Sequence, residues 1–140
     1  MKFLGIDLGE KRVGLAISDK TAMISSPFKM VERQNLLIEL PKIIEKEDIT
    51  DIVIGLPKHM NNSHGDKSEE ALKIKAEIKK LFDVEVHLQD ERRSTIAADE
   101  IMKKSNMSRK KRKSKIDEMA AAIILQNFLD RREKDEKTNL

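Results

Sequence analysis

The chain has 140 residues, 39% apolar and 38% charged with both signs intermixed, and a net charge of +3; this fits one domain with one core and excludes a disordered tail. It contains no Cys, Trp or Tyr, which excludes a disulfide framework, a thiol nucleophile, a cysteine-ligated zinc site and a broad aromatic platform for stacked bases. The opening "MKFLGIDLGE" meets an acid too soon for a secretory signal, and no apolar run approaches a membrane span, so a cytoplasmic protein without a membrane partner is expected.

Three β-type segments come first. "KFLGIDLG" and "RVGLAISD" are joined by a tight Gly9–Glu10–Lys11–Arg12 turn, and "MISSPFKMVE" is a weaker third, placed at an edge by Pro27. "NLLIELPKIIEKED" has helical spacing in Leu36, Leu37, Leu40, Ile43 and Ile44, with Pro41 predicting that the regular helix starts near it. "ITDIVIGLP" is apolar enough for a strand covered on both faces, and a polar loop "KHMNNSHG" follows. Asp66 with Glu69 forms a capping box for the helix "KSEEALKIKAEIKKLF". "VEVHLQD" is the fifth strand, and "STIAADEIMKKS" is a short helix opened by Ser94 or Thr95. The basic run "RKKRKSK" then precedes a final helix, "KIDEMAAAIILQNFLDRREKDE". No repeat or linker divides the chain, so one domain over residues 1–135 with a frayed tail at 136–140 is expected. The order β-β-β-α-β-α-β-α-α predicts an α/β fold, a mixed five-stranded sheet flanked by helices. Strands one, four and five would be parallel, with their carboxyl ends on one rim, where open α/β sheets bind ligands.

Acids interrupt this pattern at three places. Asp7 lies inside an apolar strand, Asp90 and Glu91 follow the fifth strand, and Asp117 shares a helix face with Ala120, Ala121, Ile124 and Phe128. Carboxylates gathered at one rim repel each other unless a cation intervenes, and Mg²⁺ suits an all-oxygen set that keeps positions open for phosphate. Two such ions can clamp a phosphodiester displacement. Singly, each acid also has a structural role open to it. Asp7 can cap the turn at Gly9, Glu91 can pair with Arg92 or Arg93, and Asp117 can complete a capping box with Ser114.

Together "GIDLGEKRVGLAISD", "VIGLPKHMNNSHG", "DERRST" and "KIDEMAAAIILQNFLD" resemble the YqgF family over nearly the whole chain, from Met1 to about Asp130. These are small bacterial proteins with an RNase H-like fold, similar to Holliday-junction resolvases and provisionally described as pre-16S rRNA nucleases. The resemblance implies an RNase H-like domain, a nuclease acting in 5′-end maturation of precursor 16S rRNA, and a junction-resolving role by fold analogy. It implies Asp7, Glu91 and Asp117 as catalytic acids and as ligands of one or two Mg²⁺ or Mn²⁺ ions, with Asp90 an additional candidate. Lys11, Arg12 and Arg92 match the family's pattern and are candidates for substrate phosphate. The loop after "GLP" departs from the family's acidic, Gly-rich pattern: Asn61 and His64 replace acids and Asn62 a glycine between Met60 and Gly65. His64 has the chemistry of a general base but also suits a plain exposed loop.

The run Arg109, Lys110, Lys111, Arg112, Lys113 and Lys115 fits a solvated loop by charge alone. Ahead of a helix N-terminus, however, six cations oppose the helix dipole, and phosphate contact is a reason for them to be there. A clamp on nucleic acid is therefore expected, RNA favoured over DNA, with ribosomal precursor particles as a possible setting and a monomer or weak dimer as the assembly. Two rivals remain. "GIDLG" also resembles the phosphate loop of actin-like ATPases and sugar kinases, although those need two such domains. A non-catalytic RNA-binding factor would use its carboxylates for folding alone.

Overall fold

The computed structural model describes residues 1–56, 66–90 and 108–138. Strands β1 (Phe3–Leu8), β2 (Arg12–Ser18) and β3 (Ser25–Glu32) form an antiparallel meander. Helix α1 (Leu36–Glu47), β4 (Asp51–Leu56), α2 (Asp66–Leu81) and β5 (Glu85–Asp90) follow, and α3 (Arg109–Thr138) is the last described element. The sheet order is β3-β2-β1-β4-β5, with β1, β4 and β5 parallel. The mixed five-stranded α/β sheet read from the sequence is the one observed, with Pro27 on an edge strand. The short helix expected over "STIAADEIMKKS" lies outside the described residues.

Alternation along the strands divides the apolar residues between two cores. Leu4 and Ile6 of β1, with Val13, Leu15, Ile52, Ile54 and Val86, pack against Leu36, Leu40 and Ile43 of α1 and Ala71 and Ile78 of α2. Phe3 of β1, with Ala16 and Val53, faces Ala121, Ile124, Leu125 and Leu129 of α3. Both faces of β1 are therefore covered, which explains its nearly unbroken apolar character.

Two helix starts differ from expectation by several residues. Helix α1 starts at Leu36, directly after a 3₁₀ turn at Arg33–Asn35, and runs through Pro41. Proline in a helix interior costs about 3 kcal/mol. Here its ring is exposed while Leu36, Leu40 and Ile43 are buried, and each such side chain contributes about 1.5–3 kcal/mol, so packing prevails. The helix closes on Asp48, left-handed at φ 53°, with the Ile49 N–H donating to Ile44 O at 3.0 Å. The second difference is at α3. It begins at Arg109 rather than after the basic run, because the Ser108 hydroxyl accepts the Lys111 N–H at 3.3 Å and caps the helix there. Ser114 then lies within α3 and is not the N-cap of a box with Asp117.

Candidate active site

Asp7 is the penultimate residue of β1, half-buried at the carboxyl rim. Its partner on β2 is Gly14, and the β1–β4 register, which pairs Ile6 with Ile54, brings Gly55 beside it on the other flank. Neither neighbour on its face has a side chain. One strand further, Gly55 pairs with Gln89, which is buried. The row Gly14, Asp7, Gly55, Gln89 thus crosses the rim with a carboxylate standing between two glycines. Strands lie about 4.8 Å apart, so the end of β5 starts roughly 10 Å from Asp7 with no bulk in between on that row.

Helix α3 descends over the same face. The Arg132 guanidinium lies 5.4 Å from the Phe3 ring centroid and the Phe128 ring lies 5.7 Å from it. Two residues along β1, Gly5 lies beneath Ala121 and Leu125 so closely that a Cβ there would fall 2.9 Å from Leu125 Cβ and 3.1 Å from Ala121 O. Helix and strand therefore run antiparallel. Two strand residues advance about 6.6 Å and one helical turn about 5.4 Å, so the turn before Ala121, which carries Asp117, reaches the level of Asp7. The apolar face expected for Ala120, Ala121, Ile124 and Phe128 is packed as read.

Beyond Asp117 the helix continues for eight more residues to Arg109, about 12 Å. The basic run is thus the start of a helix rather than a loop, its six positions spread around the axis at about 100° per residue.

The turn after Asp7 is built around Gly9. Its N–H donates to Arg12 O at 3.0 Å, and a Cβ on Gly9 would lie 2.3 Å from that oxygen, so only glycine fits. The amide that an Asp7 cap would use is therefore engaged by Arg12. Lys11 and Arg12 are exposed at this turn. Arg33, which the sequence reading did not single out, holds it: Nη1 donates to Gly9 O at 2.8 Å and the backbone N–H donates to Lys11 O at 2.8 Å. The signal was indirect, since Arg33 follows the last residue of β3 and meets the turn only through the meander register, which pairs Arg12 with Glu32.

Glu91, Arg92 and the loop with Asn61, Asn62 and His64 lie outside the described residues. So do the side chains of Asp90, Arg109, Lys110, Arg112, Lys113, Lys115 and Asp117. Among the described residues no three His, Asp or Glu side chains gather to hold a metal ion, and no helix is long and apolar enough to cross a membrane. At the amino end of the sheet, far from Asp7, a separate polar cluster is internally satisfied. Buried Asp51 pairs with His87 Nε2 at 2.9 Å and accepts from Thr50 Oγ1 at 2.6 Å, while the His87 ring lies 4.9 Å from that of Phe128.

A family model described as RuvX, Holliday junction resolvase, matches residues 1–131. A Staphylococcus carnosus protein provisionally named pre-16S rRNA nuclease is 46% identical over 135 residues, covering 92% of this chain and 95% of that protein. One of the same name from Oceanobacillus iheyensis is 40% identical over 137 residues, covering 94% and 100%. The structure of T. thermophilus RuvC in complex with a Holliday junction substrate is similar with a TM-score of 0.55 at 13% identity, covering 95% of this chain and 96% of that one. That likeness concerns the fold, which is the RNase H-like fold of such resolvases.

Proposed function

Since the chain belongs to the RuvX family, we propose that it is a metal-dependent endonuclease that cleaves phosphodiester bonds in 5′-end maturation of precursor 16S rRNA. The names of its relatives support the nuclease activity and the ribosomal substrate. The observation that carries the reading is Asp7, a carboxylate between two glycines at the carboxyl rim, on the face that the Asp117 turn of α3 approaches.

The donor set fits a hard cation: it is carboxylate oxygen in a chain without cysteine, suited to Mg²⁺ or Mn²⁺. Asp7, Glu91 and Asp117 would hold one or two ions, with Asp90 as a further ligand. The glycines on either flank put no side chain beside Asp7 along its row of the sheet. When bound, the metal supplies Lewis acidity to the attacking water and the leaving oxygen. The protein's own groups position the strand. Lys11 and Arg12 hold phosphate at the hairpin turn, Arg92 stabilises charge growing on the phosphoryl oxygens, and Arg109, Lys110, Lys111, Arg112, Lys113 and Lys115 grip the backbone farther along. We assign this work to a single domain over residues 1–135, a monomer or weak dimer in the cytoplasm acting on RNA or ribosomal precursor particles.

A second reading is a junction-resolving DNA nuclease, favoured by the family's description and the RuvC likeness in fold. The test compares wild type with Asp7→Asn on a leader-containing rRNA fragment and on a four-way DNA junction, with Mg²⁺ or Mn²⁺. Wild type should shorten the RNA, and Asp7→Asn should bind it without cutting. Cleavage of the junction alone selects the second reading. Identical products from the two proteins would leave a non-catalytic RNA-binding factor.

A further inference from the structure

The hairpin turn beside Asp7 is shaped from outside. Turns this short between antiparallel strands usually rely on left-handed residues, which match the twist of the strands. Among the described residues positive φ occurs only at Ala22 and Asp48, so the Gly9–Arg12 turn has none. What it has is Arg33. This side chain is 24% exposed, and its two guanidinium nitrogens reach two different parts of the rim. Nη1 donates to Gly9 O at 2.8 Å, and Nη2 pairs with Glu70 Oε2 at 3.3 Å in the first turns of α2. The fork thus ties the turn that follows β1 to the helix that follows β4, across the end of the sheet where Asp7 stands.

We infer that Arg33 is a positioning residue for substrate: it fixes the turn so that the exposed cations of Lys11 and Arg12 meet a backbone phosphate next to Asp7. The inference rests on the nuclease reading for the identity of the phosphate, and on the Arg33 contacts for the brace. A planar, bidentate guanidinium suits this task because its donors are fixed relative to each other. Both terminal nitrogens of Arg33 are engaged by protein acceptors, so its assigned role is through the turn. Its backbone bond to Lys11 O would survive a side-chain substitution. The part that can be removed is the bond to Gly9 O and the pair with Glu70.

Two measurements test this on the full chain. The first is hydrogen exchange of the Gly9 amide in wild type, Arg33→Ala and Arg33→Lys without nucleic acid. The Gly9 amide closes the turn, so Arg33→Ala should speed its exchange by about tenfold or more, with Arg33→Lys intermediate. Unchanged exchange in Arg33→Ala overturns the brace whatever the nuclease assays show. The second is affinity for the leader-containing rRNA fragment, in wild type and in a Lys11→Ala/Arg12→Ala background. Arg33→Ala should weaken binding by about tenfold in wild type and by less than about twofold where the two cations are already gone. The salt slope should also fall by about 0.7 for each phosphate contact released in single-stranded RNA.

An equal loss in both backgrounds overturns the positioning role, because a general loss of structure or a direct contact would act in either. If Lys11→Ala/Arg12→Ala binds as tightly as wild type, the turn holds no phosphate and the inference fails. The metal-site reading is then still decided by Asp7→Asn.

Discussion

Replacing Gly5 by alanine tests how closely α3 lies on β1. The added methyl would sit 2.9 Å from Leu125 Cβ and 3.1 Å from Ala121 O, where ordinary contact begins at 3.4 Å. Neither neighbour is the free end of a flexible side chain, so helix and strand must part by about half an ångström, and overpacking of this kind costs about 1–3 kcal/mol. Exchanging glycine for alanine inside a strand returns about 0.5–1 kcal/mol. At mid-range the net loss is about 1.25 kcal/mol, which, at an unfolding entropy of about 2.1 cal/mol/K per residue, lowers the melting temperature of a 140-residue chain by about 4 °C. Because the same shift moves the Asp117 turn away from Asp7, cleavage by the folded protein should fall on the order of tenfold. Calorimetry and a cleavage time course below the melting range give the two numbers. A Gly5→Ala protein that melts at or above wild type would refute the close approach of α3.

Asp19 is held to a pKa of about 2, below its ordinary 3.8, by the Ile24 N–H, the Thr21 hydroxyl and the Met23 N–H. A carboxylate lowered on folding stabilises above its unfolded pKa and loses that contribution as pH falls through the folded one. The melting difference between wild type and Asp19→Ala should therefore be full at pH 6 and vanish between about pH 4 and pH 2; a difference independent of pH would sink this. Substituting Arg109, Lys110, Arg112 and Lys113 by Gln should flatten the salt dependence of RNA binding by about 0.7 per lost phosphate contact, read from filter binding at several salt concentrations. An unaltered slope rules out the clamp. Ser108→Ala should cost about 1 kcal/mol through loss of the Lys111 cap, measured by urea unfolding, whereas Ser114→Ala should not, since that residue lies inside α3.

The sheet was readable because its signals are local. "FLGIDL" and "DIVIGL" are strands buried on two sides, and Pro27 marks an edge whatever surrounds it. Where the sequence misled, a competing interaction overruled a local preference, distant at Pro41 and local at Arg109. Pro41 argues against a helix at Leu36, but burial of Leu36, Leu40 and Ile43 against the sheet outweighs it. Six cations argue against a helix start at Arg109, yet a single serine hydroxyl supplies the cap. For the site, Asp7 announced itself by being an acid in a strand. The glycines beside it, Gly14 and Gly55, gain meaning only from the register. Arg33 had no local mark at all, since its partners Gly9 and Glu70 are brought to it by the meander and by the β4–α2 crossover.

Helix α3 is the only described helix on its side of the sheet, and it carries both the Asp117 turn and the basic extension. The order of synthesis therefore matters. A chain emerging from the ribosome can pair all five strands and cover one side with α1 and α2 while α3 is still inside the tunnel. Such a half-clad chain would have Asp7 in place but neither the Asp117 turn nor the basic extension of α3. On the proposed nuclease reading, a protein assembled in this sequence acquires its activity only when its final helix is released and docks.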